Sequence, residues 1–170
     1  TVVLVGAEAH LPYERPPLSK GYLNGSAERD SVFVFDEDWY GEHNVTLRTG
    51  VTAQRIDRDA KQVRLSDGTS VAYDKIVLAT GSRARRFPGD PDVAYLRTLD
   101  DSEALHQRLG RGHSVLIVGA GWIGLEAAAA ALTLGSEVTV VEPAAVPLEK
   151  VLGTEQGAVI AELHRSHGVD

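Results

Sequence analysis

The sequence predicts an α/β fold class with two Rossmann-like three-layer domains, the first of which contains a β-meander. Three observations support this prediction. A glycine-rich turn joins an apolar strand at residues 114–118 to an apolar helical run at 125–134. A strand that leads to an acidic residue occurs near both ends of the chain, at residues 2–8 and 137–142. Between them, residues 53–73 contain short alternating runs and a Ser-Asp-Gly-Thr turn, which are typical of a meander.

Composition limits the class of protein. A chain of 170 residues with 43% hydrophobic residues can bury a core. Its apolar runs are shorter than the ~20 residues needed to cross a bilayer and no signal peptide is recognised, so we expect a cytoplasmic protein without a membrane partner. The sequence contains no cysteine, which excludes disulfides and thiolate metal sites from it. A net charge of −7 argues against a nucleic-acid partner.

Local patterns predict the remaining elements. Thr1 leads directly into Val2–Val5, which we interpret as a buried strand, and the chain stops at Asp170 just after a predicted helix, so we expect a fragment of a longer protein. Prolines keep the loop at 10–20 from being helical. A short helix or turn at 31–41 is expected before a strand at 45–48.

Two further elements precede the glycine-rich turn. Residues 75–79 are interpreted as a buried strand, and residues 82–92, rich in Arg, Pro, Gly and Asp, are interpreted as a linker. A helix is expected to end near Leu109 and to begin with Asp100 or Asp101 as its cap, because carboxylates accept the free amide protons of a helix N-terminus.

The glycine-rich turn gives the most specific chemical signal. It has the sequence GAGWIG at residues 119–124, between a strand and a helix, and a second strand follows and ends in Glu142. Gly119 permits the tight turn, Gly121 lets the backbone approach a pyrophosphate, and Gly124 allows close helix–strand packing. Glu142 is expected to bind an adenosine ribose and to repel a 2′-phosphate, which favours NAD(H) over NADP(H). The predicted NAD(H)-binding residues are Gly119, Gly121, Trp122, Ile123, Gly124 and Glu142.

Three motifs together resemble those of a known family. They are PYERPPLSK at 12–20, ATGSR at 79–83 and GAGWIGLE at 119–126. In this order they are similar to the FAD-dependent, NADH-oxidising ferredoxin reductases of oxygenase and cytochrome P450 systems, a non-disulfide branch of the pyridine nucleotide-disulfide oxidoreductase superfamily. The resemblance covers essentially the whole chain. The lack of a cysteine pair in the first of these loops agrees with this branch.

The resemblance implies a domain organisation and an FAD site. Residues 1–86 would be a partial FAD-binding domain, 87–112 a linker and helix, and 113–170 the N-terminal part of an NAD-binding domain. Arginines and donor-rich turns suit the two phosphates of FAD. The residues implied for FAD are Glu8 on the ribose, Arg15 and Lys20 along the cofactor, Ala53 near the adenine, and Thr80, Gly81 and Arg83 beside the pyrophosphate.

The resemblance also implies a catalytic pair, Lys20 and Glu126. Their places are similar to those of an ion pair beside the flavin in the family. Lys20 is expected to stabilise negative charge on the reduced flavin, and Glu126, interpreted as a buried carboxylate that needs a partner, is expected to orient it. The implied activity passes hydride from nicotinamide to flavin and single electrons onward to an iron–sulfur partner. Trp122 is expected either near the nicotinamide or in the core.

The implied enzyme is an NADH:ferredoxin oxidoreductase of the EC 1.18.1 type, with a ferredoxin or rubredoxin as acceptor, and this fragment alone can be inactive. Arg83, Arg85 and Arg86 form the densest basic cluster, which suits either an acidic ferredoxin or FAD. His164 and His167 lack a third ligand nearby, so no metal is predicted. The alternatives are another NADH-dependent flavin reductase, such as a nitrite reductase subunit or an apoptosis-inducing-factor-like reductase, and a non-catalytic nucleotide-binding module.

Overall fold

The chain forms two compact units in a computed structural model that describes residues 1–89 and 92–170. Asp90 and Pro91, part of the predicted linker, lie outside the described residues. The first unit contains Thr1–Glu14 and Phe33–Ser82, and the second contains Arg15–Val32 and Arg83–Asp170. Residues 15–32 therefore belong to the second unit, although the sequence prediction grouped them with the first domain. The bounds of the cofactor-binding domains stay a prediction.

The first unit begins with a parallel strand pair. β1 (Val2–Val5) pairs with β2 (Val45–Arg48), and the short helix α1 (Glu37–Glu42) lies between them in the chain. The strand prediction at the start of the chain is confirmed, but its burial is wrong: Val2 is 58% exposed. In the described part of the chain β1 belongs to a sheet of two strands, with β2 as its one neighbour. A parallel strand becomes buried when other elements cover both faces of its sheet, and so small a sheet offers little surface for such packing.

The predicted meander is confirmed. β3 (Ala53–Asp57), β4 (Gln62–Leu65) and β5 (Ser70–Ala72) form an antiparallel sheet. The strand predicted at residues 75–79 is wrong, since this segment has no regular structure and Val77 is 87% exposed. An apolar run alone does not make a strand; it also needs a partner for its backbone hydrogen bonds, and among residues 1–89 and 92–170 none pairs with it.

The second unit contains two short 3-10 helices, Pro16–Ser19 and Arg29–Val32, followed by α2 (Leu99–His106). The predicted helix is confirmed, but its cap is Thr98 and not Asp100 or Asp101. The Thr98 hydroxyl accepts a hydrogen bond from the Asp101 amide, and the Asp101 carboxylate accepts one from the Thr98 amide in return. Asp101 thus occupies the third helical position of a capping box, where a carboxylate is also favourable.

The rest of the second unit is a βαβ arrangement followed by a helix. β6 (Ser114–Val118) pairs in parallel with β7 (Glu137–Val141), and α3 (Trp122–Leu134) connects them. The last helix, α4 (Glu149–Ser166), is interrupted at Gly153. The helix α3 packs its small side chains on β7, because alanine permits a close approach between helix and sheet. The buried side chains of this core include Ala128, Ala131, Val138 and Val169.

None of the helices within the described residues is both long and apolar enough to cross a membrane.

Candidate nucleotide and redox site

The glycine loop (residues 119–124) joins β6 to α3, and two of its glycines are required by its geometry. Gly119 has a φ of +106°, a conformation that favours glycine. A Cβ atom on Gly124 would lie 2.1 Å from the carbonyl oxygen of Gly119, a separation that no side chain can occupy. Gly124 therefore permits the close contact between α3 and the loop, as the motif predicted.

Gly121 has a different role. Its φ is −82°, and a Cβ built on it would meet no atom within 4 Å. Neither backbone strain nor crowding within the described residues requires a glycine here. The open space beside Gly121 therefore fits a group that comes from outside the chain, and a pyrophosphate held against the backbone is such a group.

The N-terminus of α3 presents its first amides beside this space. Gly121 is the N-cap and no side chain caps the helix within the part of the chain that the structure describes. The first intrahelical bond is donated by Leu125 to the Gly121 carbonyl, 3.0 Å away. Trp122 and Ile123 are 53% and 51% exposed, so the alternative that placed Trp122 in the core is wrong. Their position in the first helical turn explains this exposure.

Glu142, at the end of β7, binds the glycine loop through its carboxylate, a contact that we call the clamp. Its carboxylate accepts hydrogen bonds from the Ala120 amide at 2.8 Å and from the Ala144 amide at 3.1 Å, one on each oxygen. The backbone amides of Ala144 and Ala120, together with the positive charge of Lys150, hold the pKa of Glu142 below its ordinary value. The loop contact was not predicted from the sequence. It adds a structural role to the acid expected to bind the ribose.

Replacing Glu142 by glutamine is expected to lower the free energy of unfolding at neutral pH by about 1 kcal/mol, because a glutamine side chain has one acceptor oxygen for two backbone donors. Since the folded pKa is lowered, the carboxylate contributes fully above its ordinary pKa of 4.5, and this contribution is lost as pH falls through the lowered value. The difference between the two proteins therefore shrinks in acid. Chemical denaturation as a function of pH measures it.

The matched control for this substitution is Glu137→Gln. Glu137 is exposed and accepts a hydrogen bond from the Ser114 hydroxyl at 2.9 Å. Its replacement is expected to leave stability nearly unchanged, because exposed hydrogen bonds exchange with water. Equal stability of the wild type and Glu142→Gln at neutral pH would contradict the clamp.

Lys20 and Glu126 are brought together within the second unit. Lys20 Nζ lies 2.9 Å from Glu126 Oε2, and Lys20 also donates to the Pro16 carbonyl at 3.3 Å. The two side chains are 52% and 31% exposed, so the prediction of a buried carboxylate is wrong. Glu126 lies one turn into α3, on the same helix face as Trp122, where it remains accessible to solvent. We refer to these two residues as the Lys20–Glu126 pair.

Ser19 is a third member of this cluster that the sequence prediction missed. It is 6% exposed, and its hydroxyl donates to Glu126 Oε2 at 2.5 Å. The carboxylate oxygen therefore accepts from both Ser19 and Lys20. The motif around Lys20 contained this serine, but a serine beside a lysine carries no chemical signal until the fold places a carboxylate next to it.

The FAD residues expected in the first unit lie at three separate points of it. Glu8 follows β1 and accepts a hydrogen bond from the Tyr13 hydroxyl. Ala53 is the exposed first residue of β3. Thr80 and Gly81 are exposed in the irregular segment after the meander. Each is accessible to a ligand, and their role in binding FAD stays a prediction.

The FAD residues expected in the second unit are Lys20, described above, and the arginines Arg15 and Arg83. Arg15 donates to the Arg97 carbonyl at 2.6 Å, which fixes its guanidinium near the start of α2. Arg83 and Arg85 are exposed, and Arg86 lies over the ring of Tyr95 at 4.4 Å from its centroid. These contacts leave the basic cluster accessible.

The fold and the glycine loop define a class of dinucleotide-binding α/β oxidoreductases. The chain belongs to the pyridine nucleotide-disulphide oxidoreductase family, whose profile matches residues 1–170. The family resemblance drawn from its motifs is thereby confirmed.

Individual relatives narrow the comparison. The chain is 46% identical to the ferredoxin–NAD(+) reductase component of an anthranilate 1,2-dioxygenase system from Burkholderia cepacia, with 99% of this chain and 42% of the relative aligned. Rhodocoxin reductase from Rhodococcus erythropolis is 42% identical, with 99% of this chain and 40% of the relative aligned.

Solved structures show the same similarity. Putidaredoxin reductase in its covalent complex with putidaredoxin has a TM-score of 0.94 and 39% identity, covering 100% of this chain and 42% of that chain. The match confirms the predicted α/β fold class. The chain spans about 40% of the length of the curated relatives it matches.

Proposed function

We propose that the complete gene product is a flavoprotein oxidoreductase that passes electrons from NADH through FAD to a ferredoxin-type iron–sulfur protein or a rubredoxin. The observation that carries this proposal is the Lys20–Glu126 pair, because Glu126 lies on the helix that begins at the glycine loop. A cation is thereby held next to the proposed nucleotide site. The relatives named above, which include reductases of ferredoxin-type proteins, support the same function.

The residues present fit NADH in the second unit. The open space at Gly121 and the exposed first turn of α3 suit a pyrophosphate, and Glu142 suits a ribose with a free 2′-hydroxyl. Two amides already occupy the Glu142 carboxylate, but each oxygen retains a further lone pair for a ribose hydroxyl. We therefore propose NADH as the electron donor in preference to NADPH.

The residues that would hold FAD are Glu8, Arg15, Lys20, Ala53, Thr80, Gly81 and Arg83. When bound, FAD accepts two electrons and releases them singly. Lys20 would hold a positive charge where negative charge develops, and Glu126 would orient the lysine side chain. Trp122, exposed and one turn before Glu126, would contact the nicotinamide side of the site.

A visible absorption spectrum of the complete gene product tests this function. The proposal predicts a yellow protein whose flavin absorbance bleaches when NADH is added without oxygen, and bleaches more slowly with NADPH. A colourless protein that nevertheless binds NADH would indicate a non-catalytic nucleotide-binding module. A flavin reduced by NADH but unable to reduce any ferredoxin or rubredoxin would indicate another reductase of the superfamily. We also propose a cytoplasmic location, which cell fractionation tests.

A further inference from the structure

We propose that Ser19 is a positioning residue of the redox site: its hydroxyl anchors the Glu126 carboxylate, and through it the Lys20 ammonium. This inference rests on the proposed function. The supporting geometry is the shared acceptor, since Glu126 Oε2 lies 2.5 Å from Ser19 Oγ and 2.9 Å from Lys20 Nζ. One oxygen thus links a buried donor to an exposed cation.

The Ser19 hydroxyl has one hydrogen and two acceptors within reach. Glu126 Oε2 is 2.5 Å away and the Pro16 carbonyl is 3.5 Å away, so the hydrogen is directed to the carboxylate. A hydroxyl bound to a carboxylate at this distance forms a charge-assisted hydrogen bond, which is stronger than a bond between neutral groups. The Ser19 hydroxyl is therefore an anchor of the carboxylate.

The ion pair is too exposed to hold Glu126 alone. Lys20 is 52% exposed, and exposed pairs contribute little free energy because water and salt screen them and a long side chain loses entropy when it is fixed. Ser19 is 6% exposed and has a short side chain with little entropy to lose. The Ser19 side chain is therefore the most firmly positioned member of the cluster, and the Lys20 side chain is the least firmly positioned.

The backbone that carries Ser19 is itself anchored. Ser19 ends the 3-10 helix Pro16–Ser19, and two prolines begin that helix. The neighbouring Leu18 is 2% exposed, and its carbonyl accepts a hydrogen bond from the buried Ser102 hydroxyl at 2.8 Å. The Ser19 hydroxyl thus projects from a fixed point onto α3, and the position of Glu126 follows from the fold.

The test compares Ser19→Ala with the wild-type holoenzyme, by rapid mixing with NADH and following flavin absorbance. The limiting rate constant for flavin reduction is expected to fall about tenfold, the effect of losing one charge-assisted bond, with a smaller change in the NADH concentration for half-saturation. The midpoint potential of the bound flavin is expected to become more negative, because a loosened Lys20 ammonium stabilises the negative charge of the reduced flavin less. Because Ser19 acts through the pair, Lys20→Met and the double variant are expected to be reduced at the same rate.

The matched control is Ser136→Ala. Ser136 is 5% exposed, and its hydroxyl donates to the Gly110 carbonyl, away from the pair but in the same unit. Its removal is expected to lower the melting temperature without slowing flavin reduction. If Ser19→Ala does not fold, Ser19→Cys fills the same space with a weak donor and is expected to show the same slowing.

The outcomes separate the two proposals. A wild-type protein whose flavin is not reduced by NADH would overturn the proposed function and this inference together. A wild-type protein that is reduced, with a Ser19 variant reduced equally fast, would overturn the inference alone. Two other results would also overturn the inference alone. One is a double variant, Ser19→Ala with Lys20→Met, that is slower than Lys20→Met by the full factor seen for Ser19→Ala. The other is a Ser136→Ala variant slowed as much as Ser19→Ala.

Discussion

Replacing Gly124 by alanine lowers the free energy of unfolding by an expected ~3 kcal/mol, at the upper end for an overpacked position. The added Cβ would lie 2.1 Å from the Gly119 carbonyl oxygen and 3.5 Å from a methyl group of Ile117. The closer of these atoms belongs to the backbone of the glycine loop, which cannot rotate away as a side chain can. Relief of the clash requires α3 to move from the loop, so we also expect weaker NADH binding.

Gly121→Ala is the matched control for this prediction. Its Cβ would meet no atom within 4 Å, and its φ of −82° is open to any residue. Stability is expected to change by no more than about 1 kcal/mol, because the poorer N-cap preference of alanine opposes its restriction of the unfolded chain. The added methyl group would stand where the pyrophosphate approaches, so the Kd for NADH is expected to rise by about tenfold or more.

Chemical denaturation and NADH titration of both variants check these two predictions. A Gly124→Ala protein as stable as the wild type would contradict the packing role. A Gly121→Ala protein that binds NADH as tightly as the wild type would contradict the proposed position of the pyrophosphate. The pair of variants therefore separates a glycine needed for the fold from a glycine needed for the ligand.

Replacing Lys20 by methionine is expected to slow flavin reduction by NADH about tenfold to a hundredfold. This effect is smaller than that of removing a fully buried catalytic donor, because Lys20 is half exposed and solvent screens its charge. Methionine keeps much of the length of the side chain and removes its charge. Because Lys20 is also one of the residues proposed to hold FAD, rates are compared per bound flavin, which separates a loss of cofactor from slower reduction. Stopped-flow absorbance measures the rate.

The control for the loss of one positive charge is Lys61→Met, at an exposed turn of the meander. It is expected to be reduced at the wild-type rate, and added salt is expected to affect it and the wild type equally. An unchanged rate in Lys20→Met would exclude the lysine from the redox step. Equal slowing in both variants would assign the effect to net charge.

Sequence predicted the glycine loop well because its determinants are local. The tight turn at Gly119 and the close contact at Gly124 follow from spacing between a strand and a helix. The loop contact of Glu142 was not predictable, because the acid and the Ala120 amide it accepts from are 22 residues apart. The same holds for Ser19, which meets Glu126 across 107 residues.

Burial was predicted less well than strand formation. Val2–Val5 is a strand as expected, but it is exposed, and the apolar segment at 75–79 forms no strand. An apolar run shows that a segment is suited to burial. Whether it is buried depends on which other helices and strands pack against it. The cap of α2 shows a related limit: two adjacent aspartates suggested the N-terminus, but the geometry selected Thr98 two residues earlier and gave Asp101 the reciprocal bond.

We propose that NADH reduces a flavin in this protein and that the electrons leave to an iron–sulfur partner. The most direct measurement mixes the complete gene product, first reduced anaerobically with NADH, with an oxidised ferredoxin and follows both chromophores. We expect NADH to bleach the flavin, and ferredoxin to restore the flavin absorbance while becoming reduced itself. A protein that holds no flavin, or a flavin that NADH leaves oxidised, would contradict it.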